Sequence, residues 1–122
     1  MRRSTITFAT LVTAAATAAA LVPAGPAMAA TGYLDVGGIF RNSDITVTIS
    51  LERYVDPAPS CYVAPPVPSH LGGGWRHTWQ NNTDSKIVVY PSTDCTDPAL
   101  TTVPAHGGYA VTNIAKSFEV LS

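Results

Sequence analysis

The densest chemistry in the chain lies in one short run, Trp75-Arg76-His77-Thr78-Trp79. In an extended strand, Trp75, His77 and Trp79 share one face, while Arg76 and Thr78 share the other. Arg carries a fixed positive charge in a planar fork that pairs with carboxylates, and Trp and Arg are the types most enriched where binding energy concentrates. Two readings of the tryptophans stand side by side. They fill a core, or they line a partly exposed binding face. Because the two faces differ, Arg76 can point outward while the tryptophans point in. Trp75, Arg76 and His77 are therefore the candidate partner-binding residues.

Other chemistry is sparse. Ser, His and Asp are present, but no nucleophile elbow or paired-carboxylate motif brings them together. His70, His77 and His106 lack metal-ligand spacing. The two cysteines, Cys61 and Cys95, stand 34 positions apart with no second ligand pair nearby. A catalytic Cys with one of the histidines is the sharper alternative to a disulfide. In an exported chain the bridge is the default, and it closes a loop worth about 3–4 kcal/mol. No cofactor is implied, and the chain reads as a non-enzyme.

Export is read from the amino terminus. Met1-Arg2-Arg3 is basic, residues 6–22 carry no charge, and Pro23 to Pro26 precede Ala27-Met28-Ala29. This is the order of a secretory signal peptide over residues 1–29, with a small-residue cleavage site and no lipid-attachment Cys after it. Such Ala/Thr/Pro-rich leaders resemble those of actinobacteria. The expected product is a single domain over residues 30–122, secreted, extracellular, monomeric and free of the membrane. The whole chain of 122 residues has a net charge of -1. Without Arg2 and Arg3, five basic residues face eight acidic ones, a net charge of −3. A clustered basic surface for nucleic acid cannot be built from that set.

The elements that must position these residues read as strands between turns. From Asp44 to Val55, Ile45, Val47, Ile49 and Leu51 alternate with Thr46, Thr48, Ser50 and Glu52. Period two with β-branched residues predicts a strand with its apolar set on a core. Tyr33 to Val36 predicts a strand ending at Gly37-Gly38. The Trp75–Trp79 and Lys86–Tyr90 runs, around the turn Asn81-Asn82-Thr83-Asp84, predict a hairpin. Leu100–Val103, Tyr109–Thr112 and Ser117–Leu121 complete the set. Residues 56–74 hold five prolines and three glycines and predict a long stiff loop pinned at Cys61. The expected fold is all-β, a small antiparallel sandwich or partly closed barrel of six to seven short strands with one disulfide.

Two resemblances follow from particular strings. Pro57-Ala58-Pro59-Ser60-Cys61, then Trp75-Arg76-His77, Ile87-Val88-Val89-Tyr90 and Cys95, resemble the secreted α-amylase inhibitors of the tendamistat family. That resemblance implies a disulfide-bridged β-sandwich whose exposed Trp-Arg-Tyr triplet enters the amylase active site. Here His77 stands in place of the Tyr, and the second disulfide of the family has no counterpart. Separately, Trp79-Gln80-Asn81-Asn82-Thr83, Val88-Val89-Tyr90 and Asp94-Cys95-Thr96 resemble small secreted actinobacterial β-proteins, some of them βγ-crystallin-like. That resemblance implies a structural or cell-surface-associated protein, with Asn81 to Ser85 as a candidate calcium turn. The leading expectation is a secreted binding or inhibitory module acting on an extracellular enzyme such as α-amylase.

Overall fold

The computed structural model describes residues 28–69 and 73–122. Residues 1–27, most of the expected export signal, and residues 70–72, which include the candidate His70, lie outside the described residues. Eight strands follow in chain order: β1 (Gly32–Arg41), β2 (Thr46–Val55), β3 (Cys61–Val63), β4 (Trp75–Thr83), β5 (Ile87–Tyr90), β6 (Thr101–Val103), β7 (Gly108–Thr112) and β8 (Ser117–Val120). They form two four-stranded antiparallel sheets, ordered β2-β1-β4-β7 and β3-β8-β5-β6. The protein is an all-β sandwich whose sheets do not close into a barrel. No helix occurs among the described residues.

The core lies where the inner faces meet. Leu34, Val36 and Trp79 come from the first sheet, and Ile87, Val89, Val103, Phe118 and Val120 from the second. The Trp79 and Phe118 rings meet edge-on with centroids 5.4 Å apart. Tyr54 and Tyr62 extend that aromatic cluster across to the edge strands β2 and β3. Each fully buried aliphatic or aromatic side chain contributes about 1.5–3 kcal/mol of apolar burial. The Cys61–Cys95 disulfide, with Cα atoms 6.2 Å apart, ties the start of β3 to the β5–β6 connection.

Four local expectations are corrected. First, β1 does not stop at Gly37-Gly38 but runs on to Arg41. A Cβ on Gly37 would meet the Ile49 carbonyl oxygen at 2.6 Å and the Thr78 hydroxyl at 2.7 Å. The glycine therefore permits close approach of neighbouring strands rather than a turn.

Second, the alternation across β2 is broken. The β1–β2 register shifts between Val36 and Gly37, so Gly37 pairs with Ser50, Val36 with Glu52, and Leu51 is the extra residue. Beyond this bulge Tyr54, not Arg53, faces inward. Because β2 is an edge strand, its apolar set is only half-buried, and Ile45 belongs to the Asn42–Ile45 turn before it. The Asn42 side chain closes that turn, accepting the amides of Asp44 and Ile45.

Third, β4 and β5 are not a hairpin. The chain changes sheets between Thr83 and Ile87, and β4 pairs with β1 and β7 instead. Asn81, fully buried, makes this corner. Its Nδ2 donates to the carbonyls of Ser85 (2.8 Å), Pro104 (3.0 Å) and Val103 (3.3 Å). Its Oδ1 accepts from the Thr83 amide (3.1 Å) and hydroxyl (2.7 Å). Fourth, residues 56–74 contain the short strand β3, which sequence pattern alone does not signal, and β3 pairs with β8.

Candidate functional site

Strand β4 carries the candidate residues and sits centrally in its sheet, between β1 and β7. Alternation is strict along it: Trp75, His77, Trp79 and Asn81 are buried, and Arg76 is exposed between two of them. Trp75 is only 4% exposed and packs against Phe40 with ring centroids 5.6 Å apart. The Trp75-Arg76-His77 triplet therefore does not form one exposed patch. Only Arg76 faces solvent, and its buried neighbours fix the backbone that presents it.

His77 has 0% exposure and both ring nitrogens are engaged. Nδ1 accepts the Ala115 amide at 2.9 Å, which requires that nitrogen to be unprotonated. Nε2 therefore carries the proton and donates to the Pro65 carbonyl at 2.8 Å. The imidazole thus clasps the Pro-rich segment and the β7–β8 connection to β4. Burial pushes its pKa below the ordinary value of 6.5, against an opposing effect of the Pro65 carbonyl.

A pH prediction follows from the sign of that shift. The folded state binds the His77 proton less readily than the unfolded chain. The clasp's stability is therefore fully present above about pH 6.5 and is lost as pH falls below it toward the folded value. We expect the urea midpoint to fall below that pH, with His77 contributing up to about 1.4 kcal/mol per pH unit. Long-range 1H–15N spectra should show the Nε2–H tautomer at pH 7. An imidazole that titrates near 6.5 without loss of the fold would contradict the clasp.

Two concavities flank β4. An apolar groove of about 480 Å³ lies on the Trp75 side, with Val63, Pro66, Val67 and Ile114 among its walls. The other is a polar trough of about 360 Å³ on the outer face of the β2-β1-β4-β7 sheet, which sequence reasoning missed. Outward residues of this sheet fall in rows across β2, β1, β4 and β7, and the trough spans the second and third of them on the β2, β1 and β4 side. Thr48, Ile39 and Arg76 form one; Ser50, Gly37, Thr78 and Val111 the next; Arg53, Asp35, Gln80 and Tyr109 a third. Gly37 leaves the floor of the middle row as bare backbone, and the Leu51 bulge widens one side. Arg53 clamps Asp35 with two parallel bonds, Nε to Oδ1 at 2.7 Å and Nη2 to Oδ2 at 2.8 Å. Its guanidinium also lies 4.0 Å from the Tyr33 ring centroid. Bonding to Asp35 raises the Arg53 pKa. The only sequence signal for this site was the outward placement of Thr78, since the β1 and β2 walls lie 25 or more residues upstream of it.

The remaining candidates resolve locally. Cys61 and Cys95 form the disulfide and no free cysteine is present among the described residues, which removes the catalytic Cys–His alternative. In the candidate calcium turn, the Asn81 and Thr83 side chains are spent on the corner between sheets. No group of three or more His, Cys, Asp or Glu side chains that could hold a metal occurs among the described residues. No protein-family model, curated protein or solved structure matches this chain.

Proposed function

We propose that this chain is a secreted, non-enzymatic binding protein that inhibits an extracellular hydrolase, with Arg76 as its central contact. The observation that carries this reading is the placement of Arg76. It stands exposed on a central strand, between the buried anchors Trp75 and His77, and takes no part in the Arg53–Asp35 ion pair, the one that forms among the described residues. A rigidly mounted, unpaired guanidinium suits insertion into a cleft lined by carboxylates, where it forms paired charge-assisted hydrogen bonds. Glycosidase clefts such as that of α-amylase carry such acids. The contact reduces to Arg76 with its outward neighbours Ile39 and Thr48, rather than the triplet that the resemblance implied.

The test is direct. Purified protein should lower the activity of at least one member of a panel of secreted amylases, other glycosidases and proteases at micromolar concentration. Arg76→Ala should weaken that inhibition at least 30-fold, a loss of about 2 kcal/mol typical of a hot-spot residue. Absence of inhibition across the panel, with the protein recovered in the cell-wall fraction, would favour the structural surface-associated alternative instead.

A further inference from the structure

We propose that the polar trough beside Gly37 is a binding site for a neutral glycan chain, separate from the Arg76 contact. A sugar ring presents hydroxyls that both donate and accept, on a flat apolar disc. The trough offers the complementary set within about 360 Å³. Asp35 keeps acceptor capacity on both oxygens beyond its two bonds from Arg53. Gln80 donates through Nε2 to the Gly107 carbonyl at 3.1 Å, which orients its amide and leaves Oε1 as an acceptor. The Ser50 and Thr78 hydroxyls form no hydrogen bond with the described residues, so two groups that both donate and accept face the trough unspent.

Apolar contact comes from Leu51 in the wall. Tyr109, outward on β7 beside Gln80 and 56% exposed, offers a ring on which a further sugar can stack. Charge favours a neutral ligand. The charges of Asp35 and Arg53 are spent on each other, so the lining holds no unpaired cation for an anion. A phosphate, a sulfate or a uronate finds no free cation there, whereas a neutral polyhydroxyl ligand needs none. The trough runs over an open sheet face, so a chain can continue past its ends. Two backbone devices converge there, the Leu51 bulge and a Gly37 that admits no Cβ. Bulges are enriched where a sheet re-aims side chains at a ligand.

The experiment titrates the purified protein with hexasaccharides of glucose, xylose and N-acetylglucosamine, and with an oligouronate, followed by 1H–15N spectra. We expect saturable shifts at the amides of Gly37, Ser50 and Thr78 with at least one neutral hexasaccharide, and none with the oligouronate. Thr78→Val removes a hydroxyl at nearly constant volume, and Gln80→Ala removes the amide. Each should weaken binding about tenfold while the spectrum elsewhere stays folded. Tighter binding of the hexasaccharide than of its monosaccharide supports a chain ligand, and equal affinity overturns it. The site itself is overturned by three outcomes. These are no shift with any neutral oligosaccharide at millimolar concentration, preference for the oligouronate, or binding that survives both substitutions. Arg76→Ala leaves glycan affinity unchanged and Thr78→Val leaves enzyme inhibition unchanged, so either proposal can fail alone.

Discussion

Replacing Asn81 with Leu should cost about 3–5 kcal/mol of folding stability, although the two side chains have similar size. Asn81 is fully buried and its amide serves five bonds at the point where the chain leaves one sheet for the other. Leucine would leave the buried Val103 carbonyl and Thr83 amide, and the half-buried Pro104 carbonyl, without that partner. Each orphaned buried group costs about 1–3 kcal/mol, and the net loss falls short of the sum because the chain relaxes. Asn81→Asp should be at least as damaging at neutral pH, since it turns an anion toward three carbonyl oxygens. That variant should regain part of its stability in mild acid, above the pH at which other carboxylates protonate. Urea unfolding of the two variants at pH 7 and pH 5 checks both statements. A loss below about 1 kcal/mol for the Leu variant would mean that the corner is held by something else.

Removing the disulfide as Cys61→Ala with Cys95→Ala should cost about 3–4 kcal/mol, the loop-closure entropy of a 34-residue separation. A domain of this size has only about 5–14 kcal/mol in total, so the melting temperature should drop by roughly 15–25 °C. The damage should also be local. Strand β3 is three residues long and lies at the edge of its sheet, where it pairs with β8 alone. On the other side of the bridge, the Cys95 amide donates to the Ser117 hydroxyl at 3.0 Å, and that hydroxyl donates to the Ser92 carbonyl at 2.5 Å. Without the bridge, the amides of Cys61 to Val63 should lose hydrogen-exchange protection before those of β5 and β8. Uniform loss across both sheets would show that β3 needs no such tether. Two free thiols in the unreduced, denatured wild-type protein would remove the premise altogether.

The legible part of the fold is the part carried by local pattern. Ile87 to Val89 between Asn/Asp-rich and Pro-containing turns reads as a strand because β-branched runs fit a pleated, buried surface whatever they pair with. The same holds for Thr101 to Val103 and Ser117 to Val120, and all seven strand segments anticipated from the sequence appear. The disulfide was legible for a different reason. With two cysteines there is one intramolecular pairing, so no geometry is needed to choose it. Strand β3 was hidden because three residues within a proline-rich segment have no period to detect, and their strand character comes from pairing with β8, more than 50 residues downstream.

The candidate site divides along the same line. Sequence alone put Trp75, His77 and Trp79 on one side of a strand and Arg76 and Thr78 on the other, because alternation follows from backbone geometry. Which side faces the core depends on the opposing sheet, and only the packing of Phe118 and the Ala115 and Pro65 segments decided it. Gly37-Gly38 has no local signature that separates a strand end from a close approach of neighbouring strands. That choice was made by Thr78 and Ile49, from two strands on either side of β1. Asn81 reads as a turn former by type and acts as a buried corner, since its partners Val103 and Pro104 lie more than 20 residues away. Composition and period therefore determine what this chain can form locally. Long-range contact determines which of its polar groups are buried as fasteners and which, Arg76, Thr78 and Gln80, remain free to meet another molecule.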